Sequence, residues 1–342
     1  MHFMTAKRFI KVTFPFLVLI AVYFLGPKPE RPKYDKTMPV VPQQPAELEG
    51  LISLNESRHK VKPNNEAQIV WNDSTKQKTQ YAIVYLHGFS ASQIEGDPVH
   101  RKFARDFGCN LYLPRLADHG IDTTEALLHF TAERAWESAK EALAVGKQLG
   151  EHVILLSTST GGTLALMLAA EFPSDVFAMI NLSPNIAIND PAAFLLNDPW
   201  GLQIARMVMG GNYRVTDSNE EHAKYWNQKY RLESLTQLEE LLETTMNNDL
   251  FARIEQPTLT LYYYKDEENQ DPQVKVSAML RMHEALATPA DLKVAKAMPE
   301  TGAHVIGSAL TSKDVDGVYE EIKSFAINKL KMSETNFSNE QQ

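Results

Sequence analysis

The chain has 342 residues, 44% of them hydrophobic, and 34 Lys and Arg against 43 Asp and Glu give it a net charge of −9. That length holds one large core, or one domain with an inserted subdomain, and the acidic balance excludes nucleic acid, which draws basic surfaces. The single cysteine, Cys109, excludes an intramolecular disulfide framework and a Cys-rich zinc site, and reads as a packing residue.

Lys7, Arg8 and Lys11 precede an uncharged apolar run from Val12 to Gly26, the order of an export-type signal. The run, about 15 residues, is shorter than the roughly 20 of a comfortable membrane span. No small-residue cleavage site follows it, so residues 1–26 read as an uncleaved anchor that holds the chain to a membrane with the rest exported. Cleavage would make the product secreted instead. Residues 27–47 are rich in proline and charge and read as an extended, semi-rigid tether.

A folded domain is expected over residues 48–332. A short amphipathic piece lies around Leu48 to Leu54, and the alternation from Ala67 to Trp71 predicts a strand. Tyr81 to Leu86 is nearly continuously apolar, as in a strand buried on both faces of a parallel sheet. A helix over Val99 to Asp106, a strand over Leu111 to Leu113 and an amphipathic helix over Thr131 to Leu149 follow. Next come a strand from His152 to Leu156, a helix from Gly162 to Glu171 and a strand from Val176 to Leu182. Strands alternating with helices predict a doubly wound α/β fold with a mostly parallel sheet. The alternation stops over residues 185–255, which read as an inserted helical cap carrying a helix from Leu235 to Met246. It returns with strands over Pro257 to Tyr264 and Leu292 to Met298, and helices over Val276 to Leu286 and Val315 to Leu330. Residues 333–342 are polar and read as a disordered tail.

Between the strand ending at Leu156 and the helix starting at Gly162 stands Ser157-Thr158-Ser159-Thr160-Gly161. A strand, a tight turn with a hydroxyl at its apex and a helix form a nucleophile elbow, which needs small residues beside its serine. The helix behind it aims backbone N–H groups and a positive dipole end at a nascent oxyanion. A serine hydroxyl needs a base and an orienting acid, here following in the order Ser, acid, His. His304, in Gly302-Ala303-His304 after a late strand, fits the last place, whereas His283 lies in a helix and His222 in the cap. Two acids compete for the middle place: Asp271, before the next helix in Asp-Pro-Gln-Val, is preferred to Asp266, nearer the strand end. The N–H of Thr160 and that of Phe89, in the loop His87-Gly88-Phe89-Ser90, are the expected oxyanion donors. His87 reads as a structural loop residue and Asp118-His119-Gly120 as a turn, with no metal site.

These segments together resemble the α/β-hydrolase superfamily, in particular its bacterial serine esterase and monoacylglycerol-lipase-like branch, from about Glu66 to Lys331. The resemblance is carried by His87-Gly88-Phe89, Pro114-Arg115-Leu116 with His119-Gly120, Ser157 to Gly162, and Gly302-Ala303-His304. Ser157 stands where the elbow usually has glycine, and Asp118 where these enzymes often have glycine before His-Gly. The resemblance implies acyl transfer to water on a small or lipid-like acyl ester, with catalytic Ser159, His304 and Asp271 and no cofactor. A peptidase or amidase of the same fold is a second reading, and a non-catalytic, membrane-tethered binding protein a third.

Overall fold

The computed structural model describes residues 16–216 and 219–335. Its frame is a seven-stranded sheet: β1 (Gln68–Val70), β2 (Thr79–Leu86), β3 (Asn110–Leu113), β4 (Gly150–Thr158), β5 (Ala178–Leu182), β8 (Thr258–Tyr262) and β9 (Lys293–Ala297), in spatial order β1-β3-β2-β4-β5-β8-β9. Only the edge pair β1 and β3 is antiparallel. Side chains alternate between two cores, as period-2 geometry requires. Ala82, Val84, Val153 and Leu155 face one core, and Ile83, Tyr85, Ile154 and Leu156 the other. Helices α3 (Ala132–Leu149), α4 (Thr160–Glu171) and α7 (Val276–Ala285) cover the first face, and α2 (Val99–Asp106) and α8 (Val315–Asn328) the second. The result is a doubly wound α/β fold. Strand order reverses between β2 and β4, so the loops leaving their carboxyl ends meet in the crevice where such folds bind ligands.

Between β5 and β8 the cap holds α5 (Gly201–Met209), α6 (Leu232–Thr245) and an antiparallel hairpin of β6 (Tyr213–Val215) and β7 (Lys229–Arg231). The hairpin departs from the all-helical expectation; its strands are three residues each, too short for alternation to register. Arg231 fastens it to the core, with Nη1 2.5 Å from Glu125 Oε2 and its amide on the Ala126 carbonyl at 3.0 Å.

The amino-terminal readings change in part. Residues 1–15 of the expected anchor lie outside the described residues; 16–24 are helical, and no described helix is long and apolar enough to cross a membrane. The stretch after Gly26 has no regular structure until α1 (Pro45–Ser57), in keeping with its prolines, but it lies against the domain as a strap. Tyr34 bonds Thr244 at 2.7 Å, Trp136 Nε1 donates to the Asp35 carbonyl at 2.6 Å, and Val41 is buried. Lys140, wholly buried, donates to Asp35 Oδ2 at 3.2 Å and the Thr37 carbonyl at 2.9 Å. A buried ammonium needs such partners, which explains why so polar a segment packs. At the other end, the Thr335 amide donates to the Asp106 carbonyl, and residues 336–342 of the expected tail lie outside the described residues.

Candidate active site

Strand β4 ends at Thr158 and α4 begins at Thr160, so Ser159 alone makes the reversal, at φ +53° and ψ −121°. Such a conformation costs a non-glycine residue about 1–3 kcal/mol and persists only where the surroundings impose it. Three backbone bonds impose it here. The Ser159 amide donates to the Leu182 carbonyl at 3.1 Å, and its carbonyl accepts from Gly162 and Asn185, each at 2.8 Å. Gly161 is required by close approach, because a side chain there would run into the Leu86 carbonyl. Ser157 proves to be a strand position and not part of the turn. Paired with Asn181 across β4 and β5, it donates its buried hydroxyl to Asn181 Oδ1 at 2.8 Å. The elbow therefore closes without glycine at that place.

His304 follows β9 and Asp271 follows β8, and the two meet with Nδ1 2.7 Å from Oδ2. The carboxylate only accepts, so Nδ1 carries the proton and the neutral ring keeps its lone pair on Nε2. Asp271 is fully buried, and its Oδ1 accepts the amides of Gln273 at 2.9 Å and Val274 at 3.0 Å. Asp266 is turned away: its carboxylate accepts from Asn269 at 2.8 Å and lies on the surface. Burial pushes the pKa of His304 down, but the charge and hydrogen bond of Asp271, with the field of Glu95, outweigh it and raise the pKa above the ordinary histidine value. Ser159 and His304 line the same cavity without a direct hydrogen bond between them. In unliganded sites such contacts often tighten only with substrate bound.

The loop after β2 brings Phe89 and Ser90 to that cavity, and Thr160 enters it from the first turn of α4. Neither the Phe89 nor the Thr160 amide donates to another backbone carbonyl among the turns and loops described. His87 is wholly committed to the loop, with Nδ1 2.9 Å from the Gly88 carbonyl and Nε2 accepting the Leu116 amide at 3.1 Å. Burial lowers its pKa to about 4, so it stays neutral. Asp118 and Gly120 both turn through positive φ, and Asp118 Oδ2 accepts the His129 amide at 2.8 Å. No group of three metal-ligating side chains occurs among the described residues.

The cavity measures about 540 Å³ and is walled by both the sheet loops and the cap, including Phe89, Ile188, Tyr230, Leu235 and Leu238. It contains a residue that no sequence motif singles out. Glu95, in a short turn at Gln93–Gly96, is 2% exposed and is the one carboxylate among the described residues that line the cavity. Burial raises its pKa to about 7 against the hydrogen bonds from Gly88 and Trp226 and the field of His304. In sequence it is one acid among polar neighbours, and only the fold reveals its burial.

The model of the Alpha/beta hydrolase family matches residues 83–315, and the chain belongs to that family. Solved structures agree in fold. The metagenome-derived lipolytic enzymes LipS and LipT are represented by a structure that is 16% identical, covers 78% of this chain and 98% of its own, and has a TM-score of 0.60. The monoacylglycerol lipase of Paleococcus ferrophilus is 14% identical over 76% of this chain and 97% of its own, with a TM-score of 0.56. Est1E of Butyrivibrio proteoclasticus, solved with ferulic acid bound, is 16% identical over 78% and 95%, with a TM-score of 0.51. No curated protein matches the sequence.

Proposed function

We propose that the protein is a serine hydrolase that cleaves carboxylic esters through an acyl-enzyme intermediate. The observation that carries this reading is the 2.7 Å bond from His304 to Asp271, at a cavity that also holds Ser159 in its strained turn. Ser159 Oγ attacks the ester carbonyl as His304 Nε2 takes its proton, and Asp271 fixes the ring in the tautomer that allows this. The Phe89 and Thr160 amides receive the tetrahedral oxyanion. Collapse breaks the ester C–O bond, and His304 returns the proton to the departing alkoxide. Water then enters by the same route and releases the acid. No cofactor takes part in these steps.

The apolar wall formed with the cap suits a neutral acyl chain, and among the described residues neither Lys nor Arg lines the cavity to hold an anionic one. Lipolytic and esterase neighbours support an ester over an amide. The test is labelling with a fluorophosphonate probe, followed by turnover of p-nitrophenyl esters of increasing chain length against aminoacyl anilides. Labelling of the wild type that disappears in Ser159→Ala, with esters turned over and anilides not, is the expected result. A wild type that stays unlabelled, or a Ser159→Ala variant that labels equally well, ends the reading.

The amino-terminal segment is proposed to hold the domain at a membrane surface on the exported side. Supporting this, Phe16, Leu17, Leu19, Phe24 and Leu25 are each more than 60% exposed, and Met207 and Val208 of the cap more than 70%. Trp200 joins the two regions, its amide on the Pro27 carbonyl and its Nε1 on that of Val22, both at 3.0 Å. Flotation of the full chain with lipid vesicles tests the attachment, and protection from added protease in intact cells would reverse the orientation.

A further inference from the structure

We infer that Glu95 is a positioning residue for this hydrolysis, one that ties the cap to the oxyanion loop in the cavity it shares with His304. The inference rests on the esterase reading above. Both carboxylate oxygens are engaged by donors from different parts of the fold. Oε2 accepts the Gly88 amide at 2.5 Å, and Oε1 accepts the Trp226 indole N–H at 3.3 Å. Gly88 immediately precedes Phe89, so the first bond holds the turn that presents the Phe89 amide; Ser90 completes that turn at φ +63°. Trp226 belongs to the cap, and its neighbour Asn227 donates its amide to the Ser90 carbonyl at 2.7 Å. The cap thus grips this turn directly at Ser90 and through Glu95 at Gly88.

The nucleophile is close by. A methyl group on Gly88 would stand 2.8 Å from Glu95 Oε2 and 2.9 Å from Ser159 Cβ, so little more than the width of one carbon separates the carboxylate from the serine. Four regions around the Glu95 turn carry titratable groups. From β2 comes Tyr85, whose buried hydroxyl is bonded to Thr158, and from α2 comes His100, kept neutral by burial. Asp97 follows on the same loop. On the cap side, His222 stacks on Trp226 at 3.9 Å, and Lys62 reaches the Trp226 carbonyl and Asn227 Oδ1. The histidine loop brings His304, with Asp271 behind it. Glu95 and His304 raise and lower each other's proton affinity as opposite charges do. An ionised Glu95 therefore favours the imidazolium that forms as Ser159 gives up its proton, and the two groups titrate as a pair.

The test compares wild type, Glu95→Gln, Trp226→Phe and the double variant on a soluble p-nitrophenyl ester, with fluorophosphonate labelling read alongside. Glu95→Gln keeps the side chain's shape and one acceptor. It is expected to lower kcat about tenfold with KM within about twofold, the pattern of a group acting in the transition state. Removing the negative charge lowers the His304 pKa, so the acid limb of kcat/KM moves to lower pH by about half a unit or more. Trp226→Phe is expected to lower kcat in the wild type but not in the Glu95→Gln background, because both act through one contact. An unmoved acid limb in Glu95→Gln, or independent effects of the two substitutions, overturns the inference while labelling leaves the esterase reading intact. An unlabelled wild type overturns both.

Discussion

Asp271 holds His304 with one carboxylate oxygen, 2.7 Å from Nδ1, and holds its own loop with the other, through the amides of Gln273 and Val274. One side chain thereby sets both the tautomer of His304 and the conformation of its own loop.

Separate substitutions distinguish these two roles. Asp271→Asn keeps an acceptor for the amides but offers the wrong partner to Nδ1–H. It is expected to reduce kcat/KM by about 10³- to 10⁴-fold, with little change in thermal midpoint. Asp271→Ala also strands two buried amides and is expected to destabilise the fold by about 1–3 kcal/mol. Asp266→Asn, at a surface turn, leaves ester turnover unchanged. Steady-state kinetics and denaturant melts on the three variants check the assignment.

The direction of the His304 pKa predicts the pH profile. As the proposed general base, His304 works only when neutral, and its pKa lies above the ordinary histidine value of 6.5. Ester kcat/KM should therefore climb with pH through a limb centred above 6.5, and a limb centred below it contradicts the structure. Stability runs the other way. Glu95 has a folded pKa raised from 4.5 to about 7, so its contribution is full below 4.5 and is lost as pH rises through 7. The wild type should lose about 3 kcal/mol relative to Glu95→Gln over that window, read from urea melts at pH 4.5 and 8.

Ser157→Gly recreates the usual elbow sequence and, by the geometry here, gains nothing. Ser157 lies in the strand, where its hydroxyl is the partner of buried Asn181 Oδ1, and Asn181 Nδ2 already lacks one. The substitution is expected to cost about 1–3 kcal/mol of stability and to leave kcat within about twofold. A faster enzyme would show that the serine strains the turn.

Much of the proposed site was legible because the residues that carry it sit in local sequence patterns. Ser159 sits in a strand–turn–helix that five residues announce, and His304 follows a strand in a short loop of small residues. The choice between Asp271 and Asp266 was not local. It depends on a bulge of loop after β8 that puts the later residue beneath the histidine and turns the earlier one onto Asn269. Glu95 escaped for a similar reason, because burial of an acid is decided by what packs over it, here the cap tryptophan. The docking of the extended stretch was not legible because composition reports a segment's own preference and not the buried Lys140 waiting for it on α3.

That strap yields a further prediction. A chain starting at Pro45, the first residue of α1, leaves Lys140 without Asp35 and the Thr37 carbonyl, with Glu137 as its remaining partner at 2.9 Å. Its thermal midpoint should fall by on the order of 5 °C relative to a chain starting at Pro27, measured by calorimetry. Equal midpoints would make the strap an ornament.

The cap is fastened unevenly. Its inner seam, Lys224 to Asn227, is bonded to Asn65, Lys62, Ser90 and Glu95, whereas Met207 and Val208 on α5 face outward and stay largely exposed. Variation is therefore partitioned: the outer helix can be rewritten to suit new surroundings, while four residues at the seam must travel together with the loop they clasp. Anyone transplanting this cap onto a relative should move Glu95 with it.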